Sequence, residues 1–342
     1  MGATVAINGF GRIGRLVFRA WLESDRNDIN IVAINDLADI KTNAHLLQYD
    51  SVHGTSPFKV EVDGDYIVAK GKRVKCVQQR DPAQLPWGEM GIDIVYECSG
   101  IFTKRDDASK HLTAGAKKVL ISAPATDEDI TVVYGVNSND ITAGHKIISN
   151  ASCTTNCLAP LAYALNEKIG IESGFMTTIH SYTGDQCVVD TMHKDMARAR
   201  AAALNMIPTS TGAAKAVGKV LPELNGKLDG VSVRVPTPNV SLVDLKFIAS
   251  RDTTEEEVVA AVKEFAGGDL DGVMGTYDIP LVSGDFNHNP LSSIVSTKDI
   301  KVVGRLVRVM SWYDNEWGFS NRMLDTGAKM HAVGYAANAE AA

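Results

Sequence analysis

From Thr4 to about Ser149, short apolar runs alternate with longer stretches of helical spacing, the order expected of a parallel sheet covered by helices. Thr4–Asn8, Ile29–Asn35, Ile92–Glu97, Val119–Ser122 and Lys146–Ser149 are the expected strands. Between Phe58 and Ala69 the pattern changes. Lys59-Val-Glu-Val, the dipeptide Asp63-Gly64 and Tyr66-Ile-Val-Ala predict a hairpin with a tight turn, an antiparallel excursion. A second region opens with a helix near Cys153 and continues through strands at Gly174–Ser181, Val231–Val235, Val240–Ile248 and Lys301–Trp312. Apolar and polar side chains alternate more cleanly there, which suits an antiparallel sheet with one covered face. Thr253 and Glu256 have capping-box spacing ahead of a helix running towards Phe265. A last helix is expected from Phe319 to about Ala332, followed by an Ala-rich tail that frays.

The length of 342 residues fits two domains, and neither repeats nor low-complexity linkers interrupt them. A net charge of -7 without a basic stripe argues against a dedicated nucleic-acid role, since phosphate neutralisation needs clustered Lys and Arg. No apolar run approaches the about 18 residues that span a bilayer, so no membrane partner is expected. The first strand starts at Thr4, which leaves no room for a signal peptide, and Ala6 stands where a myristoylation motif wants Ser or Thr. A cytoplasmic location is the expectation. Five cysteines, at 76, 98, 153, 157 and 187, follow no small-scaffold spacing and read as free thiols in a reducing compartment.

Gly9-Phe-Gly11-Arg-Ile-Gly14 follows a strand and leads straight into a helical pattern. In that setting the first glycine permits the turn, the second lets a pyrophosphate approach, and the third lets helix and strand pack closely. The helix start then offers N–H groups to the phosphates. Asp36 lies a little over about 20 residues further on, where a carboxylate can bind ribose hydroxyls and repel a 2′-phosphate, so NAD is the expected cofactor.

In Asn150-Ala-Ser-Cys153-Thr-Thr-Asn-Cys157, Ser152 is a candidate N-cap that puts Cys153 in the first turn of a helix. Partial positive charge and free N–H groups there favour a thiolate and can stabilise an oxyanion. Read without further context, Cys153 could equally be a buried thiol; Cys157 reads as a small packed residue. No metal site is expected, because no CxxC or close His pair supplies the remaining ligands. His180 ends a predicted strand and is the one histidine expected to act, as a neutral base that takes the Cys153 proton and then holds the thiolate as imidazolium. His193, His288 and His331 lie in polar sequence and read as surface histidines.

Five separated motifs together resemble the glyceraldehyde-3-phosphate dehydrogenase family: Asn8-Gly-Phe-Gly-Arg-Ile-Gly, Ala151-Ser-Cys-Thr-Thr-Asn-Cys-Leu-Ala-Pro160, Ser210-Thr-Gly-Ala-Ala-Lys215, Arg234-Val-Pro-Thr-Pro-Asn239 and Ser311-Trp-Tyr-Asp-Asn-Glu316. The resemblance implies an α/β protein with a Rossmann-type NAD-binding domain, residues 1–150 and 316–342, and an α+β catalytic domain with a largely antiparallel sheet, residues 151–315. It implies oxidation of glyceraldehyde 3-phosphate to an acyl phosphate with NAD and inorganic phosphate, through a thiohemiacetal and then a thioester on Cys153. By the same resemblance Thr183 and Arg234 would hold the substrate phosphate, while Ser152, Thr154, Thr211 and Gly212 would hold the attacking phosphate. Asn315 would orient the nicotinamide, and Arg12, Ile13 and Ser122 would be further cofactor contacts.

The segment Tyr182–Asn205 resembles the family's S-shaped interface loop and implies a homotetramer. It departs from the pattern in carrying Thr191-Met192 where Leu-Pro often precedes His193-Lys194-Asp195, at positions that shape discrimination at the adenosine 2′ position. Ala197 also replaces a frequent Arg and Phe319 a frequent Tyr, which implies tuning with retained activity. Erythrose-4-phosphate dehydrogenase shares the cysteine and histidine but ends its reaction with water; Ser210-Thr-Gly-Ala-Ala-Lys215, part of an inorganic-phosphate site, favours the phosphorylating enzyme. A catalytically silent NAD-binding protein would have lost Cys153 or His180, and this chain retains both.

Overall fold

A computed structural model describes residues 2–340, which form two compact units. The first comprises the chain up to Val132, Ser138–Ala151 and the residues from Ser320 onward. Its strands are β1 (Ala3–Asn8), β2 (Ile29–Asn35), β3 (Val60–Asp63), β4 (Tyr66–Ala69), β5 (Lys72–Val77), β6 (Ile94–Glu97), β7 (Lys118–Ile121), β8 (Ile130–Thr131) and β9 (Ile147–Ser149). Its first helices are α1 (Arg12–Glu23), α2 (Ile40–Gln48), α3 (Arg105–Ala108) and α4 (Lys110–Thr113). The described strands lie in the order β3-β4-β5-β2-β1-β6-β7-β9-β8. All pairs from β5 to β8 are parallel, while β3, β4 and β5 pair antiparallel. Because β2 and β6 flank β1, strand order reverses there, which opens a crevice at the strands' carboxyl ends.

The expected hairpin is present, but it continues into a third strand that the sequence reading missed. Lys70 and Gly71, both with positive φ, make a two-residue turn into β5, which joins β2 in parallel. One apolar layer, with Ala6, Ala33, Trp87, Ile92 and Val95, covers the sheet; Ala108, Val119, Ile121 and Ile147 form another cluster.

The second unit spans Val133–Asn137 and Ser152–Phe319. It contains α5 (Cys153–Lys168), β10 (Ile171–Ser181), β11 (Ile207–Ser210), α6 (Ala213–Val220), β12 (Leu228–Val235), β13 (Ser241–Ala249), α7 (Glu255–Ala266), β14 (Met274–Tyr277), β15 (Ser293–Ser296), β16 (Lys301–Val303) and β17 (Leu306–Tyr313). Its sheet runs β11-β12-β10-β13-β17-β15-β14, with β16 on β17. Most pairs are antiparallel; β10–β12 and β14–β15 are parallel. The run Lys301–Trp312, expected as one strand, is two, because Gly304 (φ 58°) turns the chain back on itself. Strands β11, β14 and β15 are only four residues each, too short for alternation to reveal them.

The cap of α7 also sits one residue later than expected. Thr254 accepts from the Glu257 amide, while the Thr253 hydroxyl donates to the Glu257 carboxylate. The last helix, α8 (Trp317–Glu340), starts earlier and runs further than the expected Phe319–Ala332; the end of the expected frayed tail, residues 341–342, lies outside the described residues. From Ser320 on, α8 is tied to the first unit by Arg26 to Asp325 (2.6 Å) and Thr326 to Asn150 (2.8 Å). Gly327 lies against the Tyr96 hydroxyl, leaving no room for a Cβ.

Candidate active site

In the first unit, the turn after β1 gives each glycine a separate job. Gly9 has φ +90°, and a Cβ there would meet the Ser99 backbone at 2.5 Å; a Cβ on Gly14 would collide with the Gly9 carbonyl. Above Gly11 there is nothing within 4 Å. Gly11 is also the N-cap of α1 and has no capping side chain, so the helix start faces open space with its N–H groups. A pyrophosphate fits that gap by backbone alone. Gly11→Ala is therefore expected to leave the melting temperature within about 2 °C of wild type while weakening the cofactor about tenfold or more. Gly14→Ala is expected to cost about 2 kcal/mol or more, since α1 must move off β1; thermal unfolding and cofactor titration of both variants separate the two roles.

A cavity of about 600 Å³ opens beside this turn, lined among others by Asn8, Gly11, Asp36, Leu37, Ser99 and Phe102. Asp36 Oδ2 accepts from the Phe10 amide (2.6 Å) and Oδ1 from the Ala38 amide (2.8 Å). Each oxygen keeps a lone pair for a ribose hydroxyl. The cavity size, open helix start and carboxylate together fit a dinucleotide. Arg12 pairs with Asp50, which the sequence reading did not pick out, and Ile13 is half-buried in the first turn of α1. Half-buried Ser122 donates its amide to the Glu97 carbonyl (3.0 Å).

Beneath the cavity lies a polar relay that sequence reasoning also missed. Glu97, 1% exposed, accepts from Asn8 Nδ2 (2.6 Å), the Ser99 amide (2.8 Å) and the Ser99 hydroxyl. His111 Nδ1 accepts from the Trp87 indole (3.1 Å), so its Nε2 carries the proton and donates to Glu97 (2.9 Å). Asn8 and Ser99 line the cavity, and this network sets their orientation. The only sequence signal was a carboxylate ending an otherwise apolar strand, Ile94-Val-Tyr-Glu97.

In the second unit, Ser152 caps α5 by accepting from the Thr155 amide (3.0 Å), which makes Cys153 the first helical residue. Strand β10 carries His180 to its end, and Cys153 Sγ is 3.5 Å from His180 Nε2. The parallel partner β12 sets Arg234 directly opposite His180. Arg234 Nη1 lies 2.8 Å from His180 Nδ1 and donates to the Ser181 carbonyl (2.9 Å). Its Nε is buried without a partner among the described residues.

The electrostatics differ from the sequence expectation. Burial pushes the Cys153 thiol up, with Arg234 and contacts from Thr154 pulling the other way, so the helix start does not by itself make a thiolate. His180 is 3% exposed, and burial followed by the Arg234 charge pushes it down to about 3. Burial of both groups and the Arg234 charge beside His180 thus work against an imidazolium, while the same Arg234 charge favours a Cys153 thiolate.

Tyr313, absent from the sequence-based site, supports this cluster. Its buried hydroxyl bonds Thr154 (2.8 Å) and Thr178 (2.9 Å), and its ring meets His180 edge-on at 5.9 Å. Thr154 is 4% exposed, with its hydroxyl turned inward to Tyr313. The Thr183 amide and hydroxyl both donate to Gln186 Oε1 (2.9 and 3.2 Å). Thr211 Oγ1 accepts from the Ala213 amide (3.2 Å), and exposed Gly212 is the N-cap of α6. A bond from Thr155 to the Ala213 carbonyl (3.4 Å) draws the starts of α5 and α6 together, and Ser152, Thr211 and Gly212 with them. The N–H groups of a helix start favour an anion. Asn315 Oδ1 accepts from Ser181 (2.8 Å) and Ser241 (2.9 Å), which fixes the amide and turns its two N–H donors away from those hydroxyls.

Residues 3–105 match the model of the glyceraldehyde 3-phosphate dehydrogenase NAD binding domain, and residues 152–315 match that of the C-terminal domain. The chain is 62% identical over 335 residues to glyceraldehyde-3-phosphate dehydrogenase of Xanthobacter flavus, covering 98% of this chain and 100% of the relative. It is 61% identical to the Cereibacter sphaeroides protein of that name (96% and 99% covered). With glyceraldehyde-3-phosphate dehydrogenase 1 of Bacillus subtilis it shares 59% identity (96% and 98% covered).

Proposed function

The chain belongs to the glyceraldehyde-3-phosphate dehydrogenase family, and on that premise we propose how its own residues carry the reaction. It is an NAD-dependent oxidoreductase that oxidises glyceraldehyde 3-phosphate. The contact of Cys153 Sγ with His180 Nε2 at 3.5 Å, with Arg234 beside it, carries the reading. Cys153 gives its proton to His180 and adds to the aldehyde carbon, forming a thiohemiacetal. The chemistry NAD would supply when bound is acceptance of a hydride; with His180 taking the hydroxyl proton, loss of that hydride from carbon leaves a thioester. Inorganic phosphate then attacks the thioester carbon, the C–S bond breaks to release the acyl phosphate, and the Cys153 thiolate regains its proton from His180.

The depressed basicity of His180 fits this sequence of events once the substrate phosphate is counted. Arg234 Nε has no partner among the described residues and so is a donor to spare for a phosphate, while Thr183, just past the end of β10, would have to exchange its bonds to Gln186 for the phosphate oxygens. Burial first and the Arg234 charge second hold His180 neutral; a dianion there offsets the second, so substrate binding itself raises the base. Ser152, Thr211 and Gly212, at the starts of α5 and α6, take the attacking phosphate, and Thr154, whose hydroxyl is turned inward to Tyr313, joins them through its backbone amide. Gly9, Gly11, Arg12, Ile13, Gly14, Asp36 and Ser122 hold NAD, and Asn315 donates to its carboxamide. The Asp36 carboxylate favours NAD by repelling a 2′-phosphate.

We assign residues 1–150 and 316–342 to NAD binding and 151–315 to catalysis. The exposed apolar side chains Val188, Val189, Met192, Met196, Leu204 and Met206 in and beside the segment 182–205 support a homotetramer. No described helix is long and apolar enough to cross a membrane, and the location we propose is the cytoplasm. The reading is tested by the initial rate of NADH formation with glyceraldehyde 3-phosphate, with and without inorganic phosphate, and with erythrose 4-phosphate in parallel. Phosphate-dependent turnover is expected. Phosphate-independent oxidation that prefers erythrose 4-phosphate would transfer the assignment to that relative, which shares Cys153 and His180 but for which the comparisons give no specific support.

A further inference from the structure

We infer that the first unit carries a second anion site, remote in sequence from the catalytic motifs, in the cleft where α8 crosses β7, and that it takes a phosphate group. The observation is a charge without a counter-charge. Lys118 begins β7 and is only 7% exposed, yet its ammonium makes one hydrogen bond among the described residues, to the Met330 carbonyl at 3.3 Å. Buried lysines are as a rule paired with carboxylates, because an unpaired buried charge costs several kcal/mol. Here a second lysine, Lys146, lines the same cleft. Lys146 lies close enough to Lys118 to depress it, after burial, and no described carboxylate pairs with Lys146.

The two ammonium groups line a cleft of about 180 Å³, together with Lys117, Asp93, His331 and Tyr335. Asp93 does not neutralise them. Its Oδ1 accepts from Lys117 (2.7 Å) and its Oδ2 from the Thr4 amide (2.9 Å), with His331 at 3.9 Å. The net surplus at the cleft is therefore Lys118 and Lys146. Gly334 lines the cleft, where a Cβ would sit in van der Waals contact with the Lys118 ammonium at 3.6 Å and a larger side chain would occupy the space. Its volume is well below the about 300 Å³ of drug-sized pockets, which suits inorganic phosphate or a small phosphate monoester. A phosphate between the two lysines would satisfy their donors and remove their repulsion at once. The site does not depend on the catalytic reading, since none of its residues belongs to that machinery.

The test reads the cleft directly. NAD-loaded protein is acylated with limiting acetic anhydride, and Lys118 and Lys146 are quantified by peptide mass spectrometry against exposed Lys59. Inorganic phosphate and glycerol 2-phosphate are the two probes, and sodium chloride at matched ionic strength controls for screening. At a probe concentration ten times the dissociation constant, acylation of Lys146 is expected to slow about tenfold, and that of Lys118 with it. Chloride should change it by less than about twofold. Protection by only one probe identifies the source of the phosphate group and supports the site. Equal protection by chloride, or none by either phosphate, overturns it. Gly334→Leu fills the cleft while keeping every charge and should abolish protection; protection that survives in a folded Gly334→Leu protein would also overturn the inference. Lys146→Met should lose phosphate protection at Lys118 and leave turnover unchanged.

Discussion

Cys153→Ser is expected to lower turnover of glyceraldehyde 3-phosphate about 10⁴-fold or more, because a serine hydroxyl beside a neutral imidazole is a far weaker nucleophile than a thiol. The fold should survive, since the swap keeps the side chain's shape at the first position of α5, where Ser152 remains the cap. Cofactor affinity should stay within about threefold of wild type, as Asp36 and the Gly9–Gly14 turn are untouched. Single-turnover kinetics and a cofactor titration check both statements. Robust steady oxidation by the serine variant would sink a thioester on Cys153.

His180→Asn should reduce turnover by about 10²- to 10⁴-fold, the usual worth of a positioned general base. The same substitution carries a stability signature of its own, which reads the protonation state of His180 at the end of β10. His180 is held at about 3 in the folded protein, by burial first and Arg234 second, against an ordinary value of 6.5. Below pH 6.5 the unfolded chain therefore takes a proton that the folded chain refuses. This group's contribution is fully present above pH 6.5 and is lost as the pH falls towards about 3, at about 1.4 kcal/mol for each pH unit in that window. The asparagine variant should show a shallower loss of melting temperature between pH 6.5 and 4.5 than wild type. Parallel curves would mean that His180 is not held neutral. In wild type the acid limb of kcat should lie at higher pH than that of kcat/KM, because the bound substrate phosphate offsets Arg234 and lifts His180.

The parts of the site built from neighbouring residues were legible in the sequence. Gly9, Gly11 and Gly14 act through their own backbone and the turn they form, and Ser152 caps the helix that Cys153 begins, so a few consecutive residues carry the whole signal. The alternation of short apolar runs with helical patterns likewise marked the parallel sheet, because side-chain period follows local geometry. What stayed hidden were pieces too short to show a period, such as β11, β14 and β15, and a turn whose first residue was Lys70, where positive φ is not written in the residue type.

The chain by itself thus determined the chemistry on offer: a cofactor turn, a thiol at a helix start, a histidine at a strand end. Tertiary structure decided the charge state of that chemistry. Arg234 stands beside His180 only because β12 pairs in parallel with β10, and Lys118 meets the Met330 carbonyl only because α8 returns to β7. Glu97 and His111 meet beneath the cofactor cavity for the same reason. Desolvation and Coulomb interaction depend on atoms that distant segments bring within a few ångströms, and no local pattern in the sequence encodes those distances.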